Sequence, residues 1–345
     1  MYMSKTASTR SDMVWFWLLL LLLIGAPGLG QLLAGVSWVG YLQGFTMMFI
    51  SILLEALPFV LLGTLVSSFI HLRLDADTLA YLLPKNHRFG TCAAALLGFL
   101  FPVCECAIVP ITRGLLRKGV PVGMAVAFLL AVPIVNPIVL ASTYYAFNGA
   151  WGVVLLRAIC GFLVAVFVGD YLGTVFKNDS PLRDKSYYGS GSVHHEADCS
   201  HGHSHGSEHS ATGIGQLLQH TSEEFFSVGR YLIIGAALSA AVQTLVPRQW
   251  LAVVGQNSLL SVIALMALAY GLSLCSEADA FIARTFVGHF SGGSILAFLV
   301  LGPMLDLKGT LLLSGACSGP FVRRLALTVT LAVLGLGLLA NGFNL

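Results

Sequence analysis

An all-α, polytopic membrane fold is predicted, with two inverted repeats. Each repeat has three spanning helices and a broken or re-entrant helical hairpin, and one extra helix precedes them. Three observations lead there. Only 10% of the residues are charged and 57% are hydrophobic, whereas a soluble domain carries about 25% charged residues. Apolar segments long enough to cross a bilayer recur along the chain. Chemically distinctive residues of the first half also return, in order, in the second.

The first apolar run, Val14 to Ile24, follows Lys5 and Arg10. Its length suits a signal peptide, but apolar character continues through Leu29 to Leu33 without a small-x-small cleavage site, so it is read as an uncleaved helix. Spans of about 20 residues are expected at 14–33, 41–70, 122–146, 150–175, 225–246, 292–314 and 320–342. Segments 90–117 and 257–288 are apolar but interrupted, the first at Pro102 to Cys106 and the second at Gly271 to Glu277. An arm of about eleven residues reaches roughly 16 Å, half the hydrocarbon core. Each is a broken spanning helix or a re-entrant hairpin. With the N-terminus inside, hairpins return Arg113, Arg117 and Lys118 to the side of Arg73, Lys85 and Arg88, as the positive-inside rule prefers. Hairpins also place Arg323 and Arg324 inside but leave Arg248 outside. Three crossings per copy turn the next copy upside down.

The residue echoes follow that plan. Cys104 and Arg113 recur as Cys275 and Arg284, Ala127-Phe128-Leu129 and Pro133 as Ala297-Phe298-Leu299 and Pro303, and Asn136 falls opposite Asp306. The resulting organisation is an N-terminal helix at 1–40, a first repeat at 41–176, a linker at 177–222 and a second repeat at 223–345. Inverted repeats with broken helices meeting at the midplane are the usual plan of secondary transporters.

The linker is polar, rich in Ser, Gly and His, and lacks a packing pattern, so disorder is expected. It holds His194, His195, Cys199, His201, His203, His205 and His209, with Glu196, Asp198 and Glu208 among them. Imidazole and thiolate suit zinc, copper and nickel, and in an extended chain His201, His203 and His205 share one side. The spacing is not that of a folded zinc module, so either weak, exchangeable metal capture or a plain hydrophilic linker is expected.

Within the membrane segments, Cys104-Glu105-Cys106 places two thiols and a carboxylate at a helix break, where freed backbone must face a cavity or protein. Cys275, Glu277 and Asp279 offer another thiol and two carboxylates. Such residues are expensive at bilayer depth and usually mark a transport path. The bland alternatives are carboxylates that cap helix N-termini, or an Asp279–Arg284 pair. Asn136, between Pro133 and Pro137, predicts a broken helix. Asp306 either pairs with Lys308 or takes part in gating. Glu55, alone in mid-segment, either takes a proton or bonds to a neighbouring helix. Cys92, Cys160 and Cys317 are read as packing, and the odd cysteine count argues against a disulfide scaffold. The net charge of +2 is scattered and gives no basic face for nucleic acid. No Walker-type loop is present, so an enzyme is not expected and the driving energy comes from a gradient or a partner.

Phe101-Pro102-Val103-Cys104-Glu105-Cys106-Ala107-Ile108-Val109-Pro110, followed by Arg113 and the Ala127 to Pro137 stretch, resembles the predicted permease family of domain-of-unknown-function type 318 (UPF0718). The resemblance runs from about Tyr41 to Ala340; Ala107 stands where many members have Gly. That family includes organoarsenical efflux permeases and a branch with a His-rich central loop linked to zinc and copper efflux, and the loop makes this chain look like the latter. The implied activity is export of zinc or copper across a bacterial-type plasma membrane, with the N-terminus and His-rich loop cytoplasmic. The ion would pass Cys104, Glu105, Cys106, Cys275 and Glu277. No permanent cofactor is expected beyond the carried or loop-bound metal, and the sequence leaves room for a soluble metal-delivery partner. The two competing expectations are a permease for trivalent arsenicals and a non-transporting redox or metal-sensing subunit.

Overall fold

A computed structural model describes residues 38–73, 87–101, 103–177, 181–182, 213–245 and 258–343. The expected N-terminal helix at 14–33 and all seven metal-ligand candidates of the linker lie outside these residues. The described chain is helical, apart from isolated bridges at Leu182–Cys317 and Val287–Phe290.

The helices in chain order are α1 (Trp38–Arg73), α2 (His87–Leu97), α3 (Glu105–Arg117), α4 (Val122–Val135), α5 (Pro137–Ala146), α6 (Trp151–Val175), α7 (Gly213–Leu245), α8 (Ser258–Leu272), α9 (Ala278–Thr285), α10 (Gly292–Met304), α11 (Leu307–Ala316) and α12 (Gly319–Gly342). Among the described residues, six stretches are long and apolar enough to cross a membrane: Gly40–Ile70, Val122–Ala146, Trp151–Val175, Leu217–Leu245, Gly292–Ala316 and Gly319–Gly342. They coincide with the expected spans after the first. The chain is a multi-pass membrane protein.

Burial separates the spans into an inner pair and an outer set. In the α4–α5 and α10–α11 spans, 78% and 83% of the apolar window is buried, against 28% to 44% in the other four. The inner pair are also the two spans broken in the middle. Val135 ends α4, and Asn136 opens α5 as its N-cap, accepting a hydrogen bond from the Ile138 N–H at 2.9 Å with Pro137 at the first helical position. Asn is a favoured cap and Pro a favoured first residue, because a missing N–H costs nothing there. In the other inner span Leu305 turns extended and Asp306 caps α11, accepting from the Gly309 N–H at 2.7 Å. The matched residues Asn136 and Asp306 thus do the same local job.

Close backbone approach sets the helix pairs. α6 lies on α4 where a Cβ at Gly169 would stand 2.7 Å from the Gly123 carbonyl oxygen and 2.8 Å from Ala127 Cβ. α12 lies on α10 where a Cβ at Gly337 would stand 3.1 Å from the Gly293 oxygen and 3.1 Å from Ala297 Cβ. Small residues let helices in a membrane gain van der Waals contact where lipid offers no hydrophobic drive. The remaining pairings run in parallel: α2 touches α4 and α6, and α8 touches α10 and α12. Across the halves, α3 meets α11 and α5 meets α9, while α1 packs along α7 and α4 against α10.

Candidate functional site

Both interrupted segments are pairs of helices with non-helical chain between them, at 101 and 103–104 and at 273–277. The first break is stitched to the α4–α5 junction. Asn136 Nδ2 points to the Val103 carbonyl at 3.5 Å, and Cys104, in extended conformation, is the N-cap of α3. The second is stitched to the α10–α11 junction. Ser273 sits at φ +46°, a left-handed conformation uncommon for a residue with a Cβ. From there its hydroxyl accepts from the N–H groups of Leu307 at 3.1 Å and Lys308 at 3.3 Å. It thereby caps donors that the start of α11 would otherwise leave orphaned. Gln243 of α7 donates its side-chain amide to the Leu272 carbonyl at the same break.

Around the first break the side chains are closed in. Cys104, Glu105 and Cys106 are all buried, and the two thiols are near enough to hydrogen-bond to each other. Glu105 occupies the first turn of α3, where the helix dipole favours an anion. Its Oε1 accepts from Lys308 Nζ at 3.1 Å, with both side chains under one-tenth exposed. Lys308 comes from α11 in the other half, so this is an ion pair across the molecule. Glu105 Oε2 is buried without a hydrogen-bond partner.

Around the second break the side chains are more open. Cys275 and Glu277 are half-buried and Glu55 of α1 is exposed. Cys275 Sγ donates to Glu277 Oε2 at 2.6 Å. One ligand atom from each of Glu55, Cys275 and Glu277 lies within 4.8 Å of the others. Glu105 is within electrostatic reach of Cys275, which links the two breaks.

A third group sits behind the second break. Arg157 of α6 is fully buried and donates to Thr143 Oγ1 at 2.7 Å and to the Ser276 carbonyl at 3.1 Å. Asp279, in the first turn of α9, is buried within electrostatic reach of Arg157, and its Oδ2 has no hydrogen-bond partner.

Two of the alternative pairings are not direct contacts. Lys308 Nζ bonds to Glu105 and only lies within electrostatic reach of Asp306, which accepts from the Gly309 N–H. A side chain at an N-cap points along its own helix start, so a residue two positions later is poorly placed to meet it. Asp279 does not pair with Arg284, whose guanidinium lies 5.9 Å from the centre of the Phe147 ring. The described cysteines are free thiols, and Cys317 is buried in the main core beside the bridge to Leu182. Sequence reasoning missed Arg157, although an arginine in the middle of an apolar span is itself a signal.

The profile of the ArsP_1 family, described as a predicted permease, matches residues 41–342, and the chain belongs to that family. It is 44% identical over 301 residues to the UPF0718 protein YcgR of Bacillus subtilis, covering 85% of this chain and 96% of that one. It is 38% identical over 286 residues to a protein of Streptococcus mutans named putative two-component membrane permease complex subunit, covering 83% and 91%. The UPF0718 protein YraQ of Escherichia coli is 27% identical over 107 residues, covering 31% and 30%. No solved structure matches.

Proposed function

We propose that this permease exports a soft or borderline transition-metal ion, zinc or copper, across the plasma membrane, with the His-rich linker collecting metal on the cytoplasmic side. The observation that carries the reading is the meeting of two helix breaks, one from each half, with Cys104, Glu105 and Cys106 on one side and Cys275 and Glu277 on the other. Thiolate and carboxylate donors at membrane depth suit a cation of this class. Asn136 and Asp306 hold the broken inner helices in register with the breaks, and Asp279 lies behind the second.

The two halves act as inverted repeats. The support is the reciprocity of their packing: α3 on α11 answers α5 on α9, and the Gly169–Gly123 approach answers Gly337–Gly293. Each break is bonded to the inner junction of its own half, and the Glu105–Lys308 and Arg157–Ser276 contacts tie it to the other; rocking one half against the other exposes the path to alternate sides. The Streptococcus mutans relative is named as one subunit of a two-component complex, and we extend that to this chain as a second membrane or soluble component that assists delivery.

Uptake of zinc, copper(I) and a trivalent arsenical into inverted vesicles tests the reading, with the full chain and with residues 191–210 deleted. The expected result is metal uptake that falls in the deletion at low metal concentration and is lost in the Cys104→Ser/Cys106→Ser variant. Arsenical uptake alone, indifferent to the deletion, assigns the permease to arsenicals instead. Absence of flux for all three, together with thiols that cycle to disulfides, assigns it to sensing.

A further inference from the structure

Glu55 lies at the midpoint of the span Gly40–Ile70 and is exposed. Its neighbours along α1, Leu54 and Phe59, are exposed apolar side chains. A carboxylate facing lipid at the helix centre costs about 3 kcal/mol on insertion scales. The neighbours that reach Glu55 are Cys275 and Glu277, a thiol and a second carboxylate. Neither acid forms an ion pair with a described cation, although Arg157, bonded to the Ser276 carbonyl, lies within electrostatic reach of Glu277. The buried Glu105, with Oε2 unpartnered, is within electrostatic reach of Cys275. Its own counter-ion, Lys308, is taken up by Oε1. Groups that repel one another at such depth are stable together only when protons or a cation neutralise them.

We propose that Glu55, Cys275 and Glu277 form a divalent-cation site bridging the two halves, with zinc or a chemically similar borderline ion as occupant. One sulfur and two oxygen donors make a mixed set. Thiolate-seeking ions such as copper(I), and trivalent arsenicals, prefer several sulfurs, and this group has one. A divalent ion is held by the carboxylates and gains affinity from the single thiolate. Three protein ligands leave a fourth position open, as in zinc sites that exchange what they hold. Binding displaces the thiol proton that Cys275 otherwise donates to Glu277. Cys104 and Cys106 stand outside this group and act elsewhere on the path. Naming the ion as cargo rests on the permease reading above; the binding itself does not.

Cobalt(II), a spectroscopic stand-in for zinc, is titrated into the purified full-length protein, and the thiolate-to-cobalt charge-transfer band is followed with zinc as competitor. The intact protein and the Cys92→Ser and Cys160→Ser variants are expected to show the band. Cys275→Ser is expected to lose it. Glu55→Gln and Glu277→Gln are expected to weaken cobalt binding at least about tenfold, since even an outer-shell partner is worth that much. A band that survives Cys275→Ser unchanged, or is missing from the intact protein, overturns the site. Zinc flux into vesicles separates the two ideas. Flux without the Cys275-dependent band removes this site and leaves the permease; the band without flux keeps the site and removes the transport reading.

Discussion

At the break before α3, a thiol-carboxylate-thiol run is sealed inside the protein, and its carboxylate is answered by a lysine from the opposite half. At the break before α9, a thiol and a carboxylate two positions apart are half-open, and a second carboxylate, Glu55, arrives from α1. The side chains are alike; the placing of the counter-charges is not. One break carries its cation in direct contact with its carboxylate, as part of the fold. At the other the buried cation, Arg157, bonds to Thr143 and the Ser276 carbonyl and makes no ion pair with Glu55 or Glu277, so a mobile cation contributes more there. The small-residue packing and the Asn136 and Asp306 caps are common to both halves, and the asymmetry is confined to what faces the breaks.

The sharpest way to break this comparison is to remove the built-in cation. Lys308→Met leaves Glu105 buried and uncompensated, and stability is expected to fall by about 3–5 kcal/mol, the cost of breaking a buried pair. Thermal unfolding in detergent measures it, and the double variant Glu105→Gln/Lys308→Met should recover most of the loss. If the single variant is as stable as the parent, the first break is not a framework element. Next in size is Gly63→Ala on α1. A Cβ there would lie 2.5 Å from the Ala107 carbonyl oxygen of α3, and overpacking of this kind costs about 1–3 kcal/mol. It should loosen the sealed break while leaving cobalt binding at the open one within twofold. Asn136→Ala removes one cap, for a loss of about 1 kcal/mol, and Asp306→Ala should cost a similar amount if the two junctions are equivalents. Smallest of all, Glu55→Gln, at an exposed position, should shift unfolding by less than about 0.5 kcal/mol, as surface substitutions do. Its effect belongs to ion binding. A large destabilisation makes the open group structural and erases the contrast.

Much of this was legible along the chain. The six described spans matched stretches of apolar composition, because a bilayer demands about 20 apolar residues per crossing wherever they fall. The breaks were visible in Pro102 and Gly271, and the inner-helix junction in the Asn136-Pro137 pair, since caps and prolines act within a turn of where they stand. Cys275 and Glu277 were read as one cluster by their cost at depth and Glu55 as a lone acid, without any sign that Glu55 joins them. The reach of Lys308 to Glu105 and of Arg157 to Ser276 had no local signature, and the nearby Asp306 offered Lys308 an alternative partner in sequence.

Composition and local punctuation therefore determined membrane residence, where the chain crosses and where its helices break, because those depend on transfer energies and backbone chemistry within a few residues. Which charges neutralise one another was decided by tertiary structure alone. Glu105 and Lys308 are 203 positions apart in the chain and meet only because α3 packs on α11. Coulombic pairing depends on distance in space, and no spacing in sequence encodes it.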